Sequence, residues 1–138
     1  MEWSEVAGYI DGVASLATST ADGRPHSAAI SVAVDGERLF FAIGRTSGMA
    51  RRITENPRVA LMWRPAAEVY VHGTATVVGD QDERQRIWDS GLWPYDAAAF
   101  WTSVESSEWL LIEVMPVSAI VFAERDGAIA THRWRRDR

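Results

Sequence analysis

The chain has no cysteine. That excludes disulfides, thiolate nucleophiles and cysteine-ligated zinc or iron–sulfur sites. It has no lysine either: all 14 basic residues are arginine. Schiff-base chemistry on a lysine is thereby excluded, and an anion must be met by arginine, histidine, hydroxyls or backbone N–H groups. No apolar run approaches the ~18 residues of a membrane span. The first residues, MEWSEVAG, carry acids where a secretory leader would be basic, so a cytoplasmic protein is expected. The three histidines, His26, His72 and His132, stand far apart and show no metal-binding spacing. There is no G-x-S-x-G elbow and no phosphate-binding GxxxxGK[ST] loop, so neither a hydrolase nor a P-loop enzyme is indicated. A net charge of −5 argues against nucleic acid as the main partner.

What is present suits one globular domain spanning residues 1–138, 47% apolar, with no repeat, linker or low-complexity tract. Ser4 to Gly12 reads as a short amphipathic helix with Ser4 as cap. Val13 to Thr20 is a strand, followed by the hairpin turn Ala21-Asp22-Gly23-Arg24 and a strand from His26 to Val34 opened by Pro25. Asp35-Gly36 turns the chain into Arg38–Ile43. Further strands are read at Val59–Trp63, Tyr70–Val78, Trp109–Val114, Ser118–Ala123 and Ala128–Trp134. Gly73 marks a bulge or a close backbone approach within its strand. A helix is expected at Asp80–Ser90, broken by Trp93-Pro94-Tyr95-Asp96, with another turn at Ala97–Trp101. Many strands on tight turns, with short helices inserted, predict a mainly antiparallel small β-barrel carrying helices at its rim.

The organising stretch is Leu39 to Val59. An apolar strand leads into the polar turn Gly44-Arg45-Thr46-Ser47, and Gly48–Asn56 then reads as a helix closed by Pro57. Ser47 is a good N-cap. A helix N-terminus attracts anions, and Arg45, Arg51 and Arg52 crowd this one, so the unit looks built to hold a phosphate. The competing reading is a connector helix with a solvated arginine face. Seven tryptophans exceed what so small a core needs, and Trp88, Trp93, Trp101 and Trp109 fall in one stretch. Indoles suit ring-stacking sites and subunit interfaces, so a homodimer is expected.

The order of these pieces resembles the pyridoxamine 5'-phosphate oxidase-like, flavin-binding split-barrel family, in its general-stress-protein branch. The resemblance rests on LATSTADGRPHSAAI, LFFAIGRTSGMARRITENPRVALMW, VYVHGTATVVGD, RIWDSGLWPYD and LLIEVMPVSAIVF, between about Val13 and Ala123. It implies an antiparallel split β-barrel and a homodimer with flavin mononucleotide (FMN) bound between the subunits. His26, Ser27, Ala28 and Ala29 on one strand and Ala42 and Ile43 on another would flank the flavin ring. Ser47, Gly48, Met49, Arg45, Arg51 and Arg52 would surround the phosphate, and aromatics of the partner subunit among Trp88 to Trp101, with Trp101 a candidate, would close the ring pocket. Two positions depart from the family pattern. Met49 stands where the family commonly has a phosphate-binding lysine, which leaves a deazaflavin as the alternative cofactor. Ala28 stands where the oxidases that give the family its name have an arginine, so oxidation of pyridoxamine phosphate is not expected. A flavin-dependent oxidoreductase of unknown substrate is the leading expectation; a non-enzymatic carrier of flavin, deazaflavin or haem, or a cofactor-free dimer, is the alternative.

Overall fold

The computed structural model describes residues 1–137; Arg138, the end of the arginine-rich tail, lies outside the described residues. In chain order the elements are α1 (Trp3–Tyr9), β1 (Ala14–Ser19), β2 (Pro25–Ile30), β3 (Ala33–Asp35), β4 (Arg38–Gly44), α2 (Gly48–Glu55), β5 (Arg58–Trp63), β6 (Glu68–Val77), α3 (Gln81–Trp88), α4 (Ala97–Trp101), β7 (Trp109–Arg125) and β8 (Ala128–Arg135). The strands form one sheet in the order β2-β1-β5-β6-β7-β4-β3, with β8 also paired to β7, and every pairing is antiparallel. The sheet curls into the expected split barrel with short helices.

Alternation along the strands decides what is buried. In β5, and in β6 as far as Ala75, every second residue is buried, as a curved sheet with one covered face requires. β4 differs, because both of its faces are covered. Leu39, Phe41 and Ile43 enter the barrel core, while Phe40 and Ala42 enter a second core beneath α3 and the tryptophan-rich loop. β7 divides likewise: Ile112 and Val114 face the barrel, Trp109 and Leu111 the second core. The apolar run Leu39–Ile43 is thus the wall between two cores.

Three elements differ from the sequence expectation, and a fourth, the turn at Ala97–Trp101, is met as a helical one. Trp109–Val114 and Ser118–Ala123 are one strand of 17 residues. Pro116 lies within it beside a register shift, opposite Gly73, where β7 gives up β4 as neighbour and takes β8. A missing N–H is tolerated at such an irregularity. The stretch His26–Val34 is two strands, because the chain leaves β1 after Ile30 and pairs with β4 from Ala33. The first helix begins at Trp3, with the Glu2 N–H donating to the Glu5 carboxylate at 2.7 Å, so Ser4 lies inside it. Ala97–Trp101 is a helical turn capped by Asp96, whose carboxylate accepts from the Ala98 N–H.

Candidate functional site

The turn after β4 leads directly into α2. The Ser47 hydroxyl accepts from the Ala50 N–H at 3.1 Å, the capping bond expected of it. The N–H groups of Gly48 and Met49 find no acceptor among the described residues. Gly48 lines a groove of about 460 Å³ together with Arg45, Ser47, Arg51, Glu55 and Leu110. Arg45 donates from Nε to the Ser107 carbonyl. Among the described residues neither Arg45, Arg51 nor Arg52 has a carboxylate within salt-bridge distance, although Arg24, Arg38, Arg64, Arg86, Arg125 and Arg136 all do. Free N–H groups, a positive helix end and guanidiniums without a carboxylate partner are features that suit an anion, and one carboxylate, that of Glu55, also lines the groove.

Arg52 lies apart from the groove. Its side chain crosses over Gly48, where a Cβ would sit 3.0 Å from Nη1, and its Nε donates to the buried Thr18 hydroxyl at 2.9 Å. Thr18 stands opposite His26 in the β1–β2 pairing, so Arg52 ties α2 to the strands that carry His26 and Ser27.

A second concavity, about 340 Å³ in volume, occupies the split of the barrel. β3 covers β4 only from Arg38 to Phe40, so from Phe41 onward that edge of β4 has no strand beside it. The space left is lined by Ala42 of β4 and by Ala29, Ile30 and Ser31 at the end of β2. Tyr95, Phe100 and Trp101 close it, with Val13 at its edge. The Trp101 indole donates to the Tyr95 hydroxyl at 3.0 Å, and Phe100 meets the Tyr95 ring edge-on at 5.1 Å. Burial raises the pKa of the Tyr95 phenol, with the Trp101 bond acting in the opposite direction.

The aromatic wall is held from behind by Arg84. This arginine is 6% exposed and has no carboxylate partner among the described residues. Its guanidinium donates to the carbonyls of Val104, Ser106 and Trp109 at 2.9, 2.7 and 3.1 Å and lies 3.7 Å from the Trp109 ring centre. Burial lowers its pKa, and the charge of Arg45 adds to the effect. Trp109 in turn packs on Trp101 and Trp88. The loop that follows the wall is therefore gripped by two arginines, Arg84 from α3 and Arg45 from the turn before α2.

The structure thus gathers Arg45, Ser47, Gly48 and Arg51 in the groove, and Ala29, Ala42 and Trp101 in the cavity. Met49 is not among the residues that line the groove, and its side chain packs on the barrel core. The Ile43 side chain is also core. His26 and Ser27 are exposed on the edge strand β2, and Ala28 is half-buried there. Sequence reasoning did not single out Tyr95, Phe100 or Arg84. The Trp93–Asp96 run was read only as a helix breaker, and an arginine in a polar helix gives no sign that it will be buried.

Comparison with known proteins agrees with this architecture. The profile of the pyridoxamine 5'-phosphate oxidase family matches residues 11–119. No curated protein sequence matches. The solved structure of general stress protein 26 from Bacillus anthracis is 20% identical and covers 96% of both chains with a TM-score of 0.73. An F420 reductase is 25% identical over 78% of this chain and 87% of its own, with a TM-score of 0.58. HutZ, a haem storage protein from Vibrio cholerae, is 16% identical over 82% of this chain and 88% of its own, with a TM-score of 0.62. On the profile match and the split-barrel strand order together, the chain belongs to the pyridoxamine 5'-phosphate oxidase family.

Proposed function

We propose that this protein is a cytoplasmic, homodimeric oxidoreductase that binds FMN and acts on a small molecule other than pyridoxamine phosphate. The observation that carries the reading is the pairing of an anion groove with an apolar, aromatic-walled cavity along one strand. Ala42 lines the cavity and Arg45 the groove. Two residues, Ile43 and Gly44, separate them, a span of at most about 10 Å that the polyol chain between a flavin's ring and its phosphate can bridge. Arg45, Arg51 and the N–H groups of Gly48 and Met49 suit the phosphate. Arg52 supports this end by pinning α2 to Thr18. Ala29, Ala42 and Trp101, which line the cavity, suit the ring.

The bound flavin supplies the two-electron chemistry. The chain's own residues bind, orient and exclude water. The cavity lining contains no carboxylate, histidine or arginine, so no side chain there is placed as a strong acid or base. Ala28 leaves the ring side without the arginine that a second phosphate on the substrate would need.

A deazaflavin is the second reading. It is favoured by the 25% identity to an F420 reductase and by Met49 at the expected lysine position. Haem is less well served, because no histidine lines the cavity or the groove.

The test is the visible spectrum of freshly purified protein, followed by titration of cofactor-free protein with FMN, riboflavin and a deazaflavin. FMN should bind at least about tenfold tighter than riboflavin, and Arg51→Ala should erase most of that difference, as loss of a charge-assisted hydrogen bond predicts. Equal affinity for FMN and riboflavin would show the arginines to be a solvated face. A deazaflavin band, or tighter deazaflavin binding, would replace the first reading with the second.

A further inference from the structure

Residues 102–108 join two stacked tryptophans, Trp101 at the end of α4 and Trp109 at the start of β7. The segment starts under strain. Thr102 has a φ of 70°, a left-handed conformation that a β-branched residue rarely adopts. Such a conformation persists only where its surroundings hold it. Two guanidiniums grip the segment, and they differ in access. Arg84 is buried against it. Arg45 is exposed. Its main-chain N–H donates to the Glu108 carbonyl at 2.8 Å, and its Nε donates to the Ser107 carbonyl. Its two Nη groups have no acceptor among the described residues, and the residue borders the groove at the start of α2.

We propose that Arg45 is a positioning residue that couples the groove to the aromatic wall: an anion held by its Nη groups tightens its hold on residues 102–108 and so sets Trp101 against Trp109. The coupling rests on the reading of the groove as a phosphate site and adds the regulation of the ring cavity by that phosphate. A guanidinium is one rigid plane, so an acceptor bound at its outer edge also fixes the direction of Nε. Without an anion, the exposed side chain must lose rotamer freedom to hold the Ser107 carbonyl. An anion that orders the same side chain removes that loss from the second contact. Charge acts in the same direction. Burial lowers the pKa of Arg84, and the charge of Arg45 lowers it further. An anion in the groove offsets the repulsion between the two arginines that share one segment. Arg51 borders the same groove but makes no hydrogen bond to residues 102–108 among the described residues, so it binds without transmitting.

The reporter is the Trp109 indole N–H, which donates at 3.1 Å to the Ser103 carbonyl inside the segment. Cofactor-free protein is titrated with inorganic phosphate while that resonance and the Gly48 amide are followed. Both should shift and saturate together. In Arg45→Met the Gly48 amide should still shift, at higher phosphate, and the Trp109 resonance should stay still. Arg51→Met should weaken phosphate binding about tenfold, yet at saturation the Trp109 shift should keep its full size. Arg45 is exposed, so its variants should fold, which a thermal melt checks; Arg45→Gln replaces Arg45→Met if the latter does not.

A second measurement reads the same coupling as an affinity. Riboflavin brings the ring without a phosphate. Saturating phosphate should tighten its binding about fivefold in the wild type and in Arg51→Met, and leave it unchanged in the Arg45 variant.

A Trp109 resonance that stays still in the wild type while the Gly48 amide saturates overturns the coupling and leaves the phosphate site standing. A Trp109 shift that survives loss of Arg45 overturns the role given to that residue. A Gly48 amide that never responds overturns the phosphate reading of the groove, and the coupling with it. Riboflavin that fails to bind at any phosphate concentration overturns the flavin reading of the cavity, and the phosphate titration still decides the coupling.

Discussion

At Gly73, β6 passes so close to β7 that a methyl group has no room. A Cβ there would lie 2.7 Å from both the Met115 carbonyl oxygen and Val114 Cγ1. Backbone cannot yield as a flexible side chain does. Gly73→Ala should therefore lower the unfolding free energy by about 1–3 kcal/mol, read as a lower urea midpoint with unchanged slope. This position was legible from sequence, because a lone glycine inside a strand pattern has few other uses. Met49 was legible only in part. The capping signal placed its N–H at the helix end, but helix phase decided where the side chain went. It lies one turn before the buried Ile53 and packs on the core. Met49→Lys should lower the melting temperature and leave the affinity ratio of FMN to riboflavin unchanged. A rise in that ratio would show that the side chain can reach the phosphate.

Helix α3 is polar enough in sequence to pass for a surface helix, yet its Arg84 is among the most buried polar residues described. The arginine satisfies two carbonyls of the loop after α4 and that of Trp109 at the start of β7, and that loop places Trp109 behind Trp101. Lysine has the charge but not the planar fork that reaches three acceptors at once. Arg84→Lys should cost about 2–4 kcal/mol in chemical unfolding, since at least one carbonyl is left buried without a donor. The Trp101 indole resonance should also move, because its support has shifted. A stable variant with an unmoved resonance would show the grip to be redundant. Sequence patterning could not reveal this, as the acceptors lie 20 to 25 residues away along the chain. The continuity of β7 was hidden for a related reason. Pro116 reads locally as a stop, and only the exchange of β4 for β8 as neighbour makes it a permitted irregularity.

On the scale of the whole molecule, apolar surface remains uncovered. Phe100 is 70% exposed, Val13 57% and Ile129 66%, and the edge strand β2 carries mostly exposed residues. Phe100 and Val13 border the cavity itself. An apolar rim around a binding site is what a second copy would cover. Light scattering at micromolar concentration should give twice the 15.3 kDa chain mass. Phe100→Glu should shift that mass toward the monomer. A monomer in the wild type would remove the partner from the proposed site and leave the groove and cavity to act alone. The split-barrel fold and the arginine-bearing helix cap could both be read before any coordinates. Strand alternation, turn residues and caps act over a few residues, and their order along the chain is specific to the family. The tertiary structure alone decided which arginine serves which task. Arg45 and Arg51 border the groove, Arg52 holds Thr18, and Arg84 holds the aromatic wall. Those roles depend on which carbonyls and hydroxyls the folded chain brings within about 3 Å of each guanidinium, and that is a property of long-range packing.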